Sequence, residues 1–453
     1  MKKLFITLLF ATTIQLLFAQ SEDSIFIRRI ANEILTNSKA YDNLRVLTKQ
    51  IGGRLAGSPQ MVKAEQWGLQ TLKAANADTA WLQQCLVPHW VRGGKDEAQA
   101  IYGNSKKALD ILALGNSIGT GKKGVTAEVI AVKDFDDLEK KKDLIKDKIV
   151  FYNYPFNHTF IRTFEAYGDA VKYRTQGASR AAQYGAKAVI VRSMSHGENN
   201  FPHTGGMRYI DSLPKIAAVA IGLQDADWLD SILQKRSVSV RLQTNGHFLP
   251  DTIGHNVIGE LKGSEFPNQY ITVGGHLDSW DINEGAHDDG TGIVQTIEIL
   301  RTLRALGYQP KHTIRFVLFA NEENGLRGGT KYAEEAKAKG EQHIFALESD
   351  AGGFTPRGFA LMASPEQMQK VQSWKPLLQP YGTCDFSVGA GADVGPLRRE
   401  LGTAVGELLP DSQRYFDLHH ARNDVFEAVN KRELELGAIN MAALIYLVDK
   451  YGL

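Results

Sequence analysis

The chain has 453 residues, of which 43% are hydrophobic and 23% are charged, and its formal net charge is +1. This length allows two or three domains with sizeable cores, and the balanced charge gives no reason to expect a nucleic acid or an acidic membrane surface as partner. Two cysteines, Cys85 and Cys384, cannot form a disulfide-rich scaffold, and the sequence leaves open whether they pair.

The first residues have the pattern of an export signal. Lys2 and Lys3 precede an apolar run from Leu4 to Ala19, interrupted by four polar residues. The run is too short, and too soon followed by polar residues, for a membrane span. We therefore predict a signal peptide over residues 1–19 and a secreted or periplasmic protein with no membrane span after cleavage. A retained anchor is the alternative.

Residues 20–104 are predicted to form the N-terminal part of the larger domain. Apolar residues recur at three- and four-residue spacing through most of 22–80, which indicates helices. Gly52 and Gly53 end this pattern. Ser58 followed by Pro59 is a typical helix start, so a further helix is expected from there.

The composition changes over residues 105–248. Short β-rich runs alternate there with turns and with one clear helix, "QGASRAAQYGA"; the runs are "AEVIAV", "KIVFYN", "KAVIVRS", "AAVAIG" and "VSVRLQ". The sequence of this region shows no cluster of metal-ligating residues. We interpret it as a separate, non-catalytic module that is inserted into the larger fold.

Residues 249–453 alternate between strand and helix patterns. The predicted strands lie in "NQYITVGGHLDS", "HTIRFVLFANEE" and "HIFALESD", and the predicted helices in "TGIVQTIEILRTLRAL", "GLRGGTKYAEEAKAK" and "KRELELGAINMAALIYLVDKYG". This alternation predicts an α/β fold in which helices sandwich a mostly parallel sheet. Ligands of such sheets bind beyond the carboxyl ends of the strands.

Polar side chains follow the first of these strands. His276 and Asp278 lie at its end, and strand alternation places both side chains on one face, where Asp278 can hold the imidazole in one tautomer. Asp288 follows in a glycine-rich loop that would let the backbone approach an ion, and Asp289 is a candidate helix cap. Each residue alone has an ordinary structural explanation, but together they suggest part of a metal site.

Further polar residues follow the later strands. Glu322 and Glu323 come after the second strand, and adjacent side chains of an extended chain point to opposite sides, so one can bind a metal while the other faces the reacting water. Asp350 ends the third strand, and His419 and His420 lie in a later loop. Two His, two Asp and one Glu from different elements are the ligand set expected for paired divalent metals. Mixed nitrogen and oxygen ligands suit zinc, with cobalt or manganese as substitutes.

These motifs, in this order, resemble a known family. "GGHLDS…GAHDDGTG", "FVLFANEENGLRGG", "LESDAGG" and "HHARND" are similar to the di-zinc exopeptidases, which include secreted aminopeptidases and glutamate carboxypeptidase. The motif "HLDSWD" and the spacing of the ligands most resemble the carboxypeptidase Q (plasma glutamate carboxypeptidase) group. The resemblance covers roughly residues 40–450, and residues 105–248 resemble the protease-associated domain that interrupts this fold.

The resemblance implies five ligands for two zinc ions per chain: His276, Asp288, Glu323, Asp350 and His420. Asp288 would bridge both ions; His276 and Asp350 would share one ion, and Glu323 and His420 the other. His420 is preferred over His419 because Asp424 follows it by four residues, as in the family pattern. His287 and Asp289 are not expected to be ligands.

The resemblance also implies a reaction, the hydrolysis of dipeptides or short peptides by a hydroxide between the two zinc ions. Glu322 would be the general base and Asp278 the partner of His276. Tyr415 is a candidate hydrogen-bond donor to the oxyanion, and a purely packed tyrosine is an equal alternative.

Several alternatives stay open in the sequence. A broad aminopeptidase of the same family differs in which substrate terminus it binds, and four arginines compete for a terminal carboxylate: Arg327, Arg398, Arg399 and Arg422. A single-zinc glutaminyl cyclase, or an inactive binding module such as the transferrin receptor, shares the fold, but the complete ligand set argues against both. A homodimer is expected from the resemblance alone.

Overall fold

A computed structural model describes residues 22–453, and its strands form two sheets of eight strands each. The predicted signal peptide over 1–19 lies outside the described residues. Among residues 22–453, no helix has both the length and the apolar character that a membrane crossing requires.

The strands, in chain order, are β1 (Thr79–Val91), β2 (Glu97–Tyr102), β3 (Ser105–Leu109), β4 (Ile111–Ala113), β5 (Val125–Val132), β6 (Ile149–Tyr152), β7 (Ala188–Arg192), β8 (Ala217–Ile221), β9 (Ser239–Gln243), β10 (His247–Leu261), β11 (Phe266–His276), β12 (His312–Phe319), β13 (Gln342–Glu348), β14 (Pro356–Met362), β15 (Asp385–Ser387) and β16 (Ala404–Pro410). The helices are α1 (22–37), α2 (Ala40–Val46), α3 (Pro59–Ala74), α4 (Phe135–Lys140), α5 (Thr163–Ala182), α6 (Leu223–Leu233), α7 (Thr291–Ala305), α8 (Glu322–Gly325), α9 (Arg327–Lys339), α10 (Pro365–Ser373), α11 (Lys375–Leu378), α12 (Gly395–Leu401) and α13 (Lys431–Tyr451).

The first sheet has the strand order β1-β10-β12-β11-β13-β16-β14-β15. Its four central strands, β12, β11, β13 and β16, run parallel to one another. On one side β10 and β1 are antiparallel to their neighbours, and on the other side β14 is antiparallel to β16. The predicted parallel sheet is therefore confirmed at the centre, whereas the whole sheet is mixed.

Helices cover both faces of the first sheet. Alternate residues of β12 point to opposite faces: Phe316 joins the core formed with α1, α7 and α13, and Val317 joins the core formed with α9 and α12. All eight residues of β12 are buried. A strand that is covered on both faces needs apolar side chains at nearly every position, which explains the continuous run "FVLF".

The N-terminal region contains the predicted helices and two strands that we did not predict, β1 and β2. The helix α3 begins as expected, because the Ser58 side chain accepts a hydrogen bond from the backbone N–H of Met61 at 3.1 Å. The strand β1 was missed. It carries Cys85 in its buried face, and neither Cys85 nor the exposed Cys384 forms a disulfide.

The second sheet is built from the residues between β1 and β10. Its order is β3-β2-β9-β5-β6-β7-β8-β4, and α6 packs on one face while α4 and α5 pack on the other. The five predicted strands of this region are confirmed, and α5 extends well beyond the predicted helix. The sheet runs from Glu97 to Gln243, whereas the sequence predicted a module over 105–248; residue 105 begins β3, which pairs with β2.

Candidate metal centre

The predicted site residues meet at one edge of the first sheet. The strand β11 ends at His276, while Glu322 and Glu323 follow β12 and Asp350 follows β13. These strands are parallel, so the side chains that follow them reach the same edge. The loop with Asp288 follows β11, and His420 lies in a loop beyond β16, the fourth parallel strand.

Three side chains form the first group of donor atoms. The Nε2 atom of His276 lies 3.2 Å from Oδ1 of Asp288 and 3.2 Å from Oδ1 of Asp350. His276 is fully buried, and Asp288 is 4% exposed. The structure thus brings together the His276, Asp288 and Asp350 side chains that the sequence assigned to one ion.

The second group shares Asp288 with the first. The Nε2 atom of His420 lies 3.2 Å from Oδ2 of Asp288 and 3.1 Å from Oε2 of Glu323. The two carboxylate oxygens of Asp288 therefore face different groups. His419 is more distant, with its Nε2 3.9 Å from Asp288 Oδ2, and its ring stacks on that of His420.

Backbone carbonyl groups orient both histidines. Nδ1–H of His276 donates to the carbonyl of Asp278 at 3.0 Å, and Nδ1–H of His420 donates to the carbonyl of Thr204 at 3.2 Å. In the neutral imidazole each bond leaves Nε2, the atom that faces the carboxylates, without a proton, and this is the tautomer that a metal ligand needs. The Thr204 carbonyl belongs to the second sheet's region, so both parts of the chain build the site.

Asp278 contacts the site in a different way from the expected one. The nearest carboxylate oxygen of Asp278 is 3.8 Å from Nδ1 of His276, so its carbonyl rather than its carboxylate holds the imidazole. The carboxylate instead accepts the backbone N–H groups of Glu322 at 2.9 Å and Glu323 at 3.4 Å. Asp278 therefore fixes both the histidine and the two glutamates.

The loop around Asp288 is held by its neighbours. Asp424 is fully buried, and its carboxylate accepts the backbone N–H groups of His287 at 2.7 Å and Asp288 at 3.2 Å. Asp289 accepts the N–H groups of His276 and Gly292, which occupies both of its oxygens. The N–H of Gly353 donates to Nδ1 of His287, and the opposite ring nitrogen contacts the carbonyl of Ala428, so this imidazole faces away from the donor groups.

The site opens into a cavity of about 1140 Å³ between the two sheets' regions. Glu322, Tyr415 and His419 line this cavity together with the donor groups. Tyr415 is 2% exposed and stacks on Phe164, a residue of α5. Its ring is therefore packed, as one alternative expected, and the residue also lines the cavity.

The electrostatics of the site show an excess of negative charge. Burial raises the pKa of Glu322, and the charges of Asp350 and Glu323 raise it further. Burial lowers the pKa of His276, but the Asp350 charge and the hydrogen bond to Asp288 outweigh this and raise it well above its ordinary value. Buried carboxylates that lie close together need positive charge nearby to stay ionised. The imidazoles of His276 and His420 are too few to balance the carboxylates of this site.

The donor atoms fit divalent metal ions. A tetrahedral zinc ion with bonds of about 2.0–2.2 Å separates its ligand atoms by roughly 3.3 Å, which agrees with the 3.1–3.2 Å between each histidine Nε2 and its two carboxylate oxygens. Two carboxylate oxygens, Asp288 Oδ2 and Glu323 Oε1, are buried with no hydrogen-bond partner. Such orphaned buried oxygens are explained by a cation that binds them.

One residue of the site had no signal in the sequence. Arg54 is fully buried between α2 and α3, and its guanidinium donates to the backbone carbonyls of Leu277, Glu284 at 2.9 Å and Gly285 at 3.0 Å. These bonds tie both ends of the loop between His276 and Asp288. Burial lowers the pKa of Arg54 to about 10, while the charge of Asp278 opposes this shift, so the arginine remains charged.

Comparison with known proteins gives consistent matches. The model of peptidase family M28 matches residues 256–445, a range that contains all the donor groups. Human carboxypeptidase Q is 34% identical over 413 residues, covering 91% of this chain and 85% of that protein.

The crystal structure of a peptidase M28 precursor from Shewanella amazonensis SB2B shares 31% identity with a TM-score of 0.90, covering 95% of this chain and 97% of its own. An aminopeptidase from Aneurinibacillus sp. strain AM-1 shares the fold, at 21% identity and a TM-score of 0.63, with coverage of 93% and 95%. The chain therefore belongs to peptidase family M28 and is a metallopeptidase.

Proposed function

We propose that this metallopeptidase is a di-zinc exopeptidase of the carboxypeptidase Q type that hydrolyses dipeptides or short peptides. The observation that carries the proposal is the pair of donor groups that share Asp288, one with His276 and Asp350 and the other with Glu323 and His420. A shared carboxylate between two such groups is the arrangement that holds two divalent ions side by side. Their mixed nitrogen and oxygen donors suit zinc.

Zinc, when bound, supplies Lewis acidity that lowers the pKa of water and polarises the scissile carbonyl. Glu322 is the proposed general base, because it lines the cavity beside the donor groups and its carboxylate bonds to no residue of the described chain 22–453. It would take a proton from the attacking water and deliver it to the leaving amine. The backbone N–H of Glu322 donates to Asp278, which fixes the backbone from which this side chain projects.

Tyr415 is proposed to donate a hydrogen bond to the oxyanion that develops on the scissile carbonyl. Its buried ring is fixed between Phe164 and His419. Burial raises the pKa of the hydroxyl well above its ordinary value, and the nearby charge of Asp288 raises it further. The hydroxyl therefore stays protonated and can serve as a donor.

The identity of the inserted region and the export of the protein are also part of this proposal. We infer that the second sheet is a protease-associated domain, because it interrupts the chain between β1 and β10, which pair with each other from Thr79 to Val91. Export follows from the predicted signal peptide. The homodimer stays a prediction.

Metal analysis tests the proposal first. The protein, purified without chelators, is expected to contain close to two zinc ions per chain by elemental analysis. It should lose dipeptide hydrolysis on dialysis against a chelator and regain it with zinc. A chain that is fully active with one ion, or with none, would contradict the two-ion site.

A glutamate variant tests the base. Glu322→Gln should keep both zinc ions and lower kcat by about 10²- to 10⁴-fold, which is the usual contribution of a general base. Glu334→Gln, on the exposed face of α9, is the matched control and should be fully active. If Glu322→Gln kept wild-type kcat, another group would have to be the base.

A further inference from the structure

Two histidines of the second sheet's region face each other outside the metal centre. His158 lies in the loop between β6 and α5, and His196 lies in the loop between β7 and β8. Their Nδ1 atoms are 3.0 Å apart, and their ring centroids are 4.5 Å apart. Neither residue lines the cavity that contains the donor groups. His158 is exposed and His196 is half-buried, so solvent reaches the pair.

This pairing differs from the contacts of other histidines in the chain. Apart from the proposed ligands, a ring nitrogen contacts a backbone carbonyl or a carboxylate in each of His203, His247, His255, His287, His312 and His343. Such a contact fixes the tautomer of the ring and needs no ion. Within residues 22–453, the ring nitrogens of His158 and His196 bond to no carbonyl or carboxylate, and the two Nδ1 atoms face each other.

The surroundings restrict both residues. The ring of His196 packs edge-on against Phe156, with the ring centroids 4.5 Å apart, and Phe156 is 2% exposed. His158 is the middle residue of a turn in which the Asn157 side chain accepts the N–H of Thr159 at 3.0 Å and its hydroxyl at 2.9 Å. Because the fold positions both imidazoles, little conformational entropy remains to be lost when they bind a ligand.

The charges near the pair favour a bound cation. The carboxylate of Asp417, in the loop between β16 and α13, accepts the hydroxyl of Ser195 at 3.2 Å, directly before His196 in the chain. Burial lowers the pKa of His196, the charge of His158 lowers it further, and the charge of Asp417 opposes both effects. His196 is therefore neutral at pH 7, and a neutral imidazole has one nitrogen with a lone pair for a metal.

We propose that His158 and His196 bind a further zinc ion through their two Nδ1 atoms, with water molecules completing its coordination. Zinc with Zn–N bonds of about 2.0–2.1 Å separates two ligand nitrogens by roughly 3.3 Å, so the rings need to move only slightly from the observed 3.0 Å. Imidazole is a ligand that suits zinc. The ring that carries its proton at Nδ1 would carry it at Nε2 instead, which frees the second lone pair without release of a proton.

The ion would fasten the inserted region beside the segment that carries Tyr415. The two loops contribute Phe156 and Met194 to an apolar cluster that also contains Tyr415 and Phe416 of the peptidase part. A metal that links the two loops would restrict this cluster from the side of the insert. Zinc should therefore raise the thermal stability, because an ion that binds the folded chain and not the unfolded chain stabilises the fold.

The test is equilibrium dialysis of the tag-free, metal-loaded enzyme against buffers of controlled free zinc concentration. Wild type should bind about one zinc ion per chain beyond the zinc with which it is purified. His158→Ala and His196→Ala should each weaken this extra binding by at least about 10-fold, because the loss of even a residue that only supports a metal ligand has that effect. In thermal unfolding, added zinc should raise the Tm of wild type but not of these variants.

His247→Ala is the matched control, because His247 is also exposed and its Nδ1 bonds to the carbonyl of Asn245. This variant should bind the extra zinc as wild type does, and all variants should keep the zinc of the donor groups. Extra zinc that His158→Ala and His196→Ala bind as tightly as wild type would place the ion elsewhere. No extra zinc in wild type would mean that the two imidazoles only hydrogen-bond to each other. Either result would overturn the proposal.

Discussion

The strongest test of how this site is built is the substitution Asp424→Asn. Asp424 binds no metal in our scheme, but its two carboxylate oxygens accept the backbone N–H groups of His287 and Asp288. An asparagine has one carbonyl oxygen and one NH2 group in the same place. One of the two backbone donors would therefore face another donor, and the loop that carries the shared ligand would lose a hydrogen bond.

The expected magnitude follows from that bond. A hydrogen bond to a charged group contributes about 1.5–3 kcal/mol, and the loss of a residue that supports a metal ligand usually lowers metal affinity by about 10- to 100-fold. A 100-fold loss corresponds to about 2.7 kcal/mol, so the two figures agree. We expect Asp424→Asn to weaken zinc binding by that factor and to lower the thermal stability as well.

The assay is a zinc competition titration against a chelator, with Asp449→Asn as control. Asp449 is also fully buried, and its carboxylate accepts the backbone N–H groups of Lys311 at 2.9 Å and His312 at 2.8 Å, far from the donor groups. Both variants should be less stable than wild type, but only Asp424→Asn should bind zinc more weakly. If the two variants bound zinc equally well, Asp424 would be a general structural residue and our account of the loop would fail.

Two further predictions concern the choice of ligand and the response to acid. His420→Ala should hold about one zinc fewer per chain by elemental analysis and be inactive, whereas His419→Ala should keep both ions; the reverse result would make His419 the ligand. Burial raises the pKa of Glu341, but hydrogen bonds from His343 and Arg315 outweigh it and hold the pKa at about 2, below its ordinary value of 4.5. This depressed pKa stabilises the fold above pH 4.5 and ceases to do so as the pH falls towards 2, so the stability difference between wild type and Glu341→Gln in urea unfolding should shrink across that window. A difference independent of pH would refute the assignment.

The sequence predicts the part of the site that lies in the parallel strands. Each buried strand ends where its apolar run stops, and parallel strands bring those ends together, so pattern and topology alone predict that His276, the pair Glu322 and Glu323, and Asp350 lie at one edge. The choice between Glu322 and Glu323 came from family resemblance, not from the pattern. The structure brings Glu323 into contact with His420 and leaves Glu322 facing the cavity.

The edge of the sheet was harder to predict. The strand β1 has the burial pattern of a half-buried strand, in which Cys85 and Val87 face the core and their neighbours are more exposed. That alternation is a usable signal, but a proline such as Pro88 within the pattern disfavours a strand. The proline is tolerated because β1 lies at the edge of the sheet, and the pairing with β10 shifts register beside it, between Val87 and His89.

Residues that act on the site from a distance gave no signal at all. Arg54 lies more than 200 positions before the loop that it ties together, and Arg174 comes from a module that the sequence marked as non-catalytic. Both contact residues that are distant in the chain, and a single position has no periodicity from which to infer its partners. Their burial and charge become meaningful only when the fold shows what surrounds them.

The second sheet's region therefore does more than interrupt the peptidase fold. Its Thr204 carbonyl holds the tautomer of His420, and its Arg174 lies against the same imidazole. A module that only covered the site would need neither contact. One short segment, with Gly205 at its centre, packs against both the proposed ligand His420 and the guanidinium of Arg174. A displacement of this segment would remove the carbonyl that orients His420, and we expect it to weaken zinc binding at that residue.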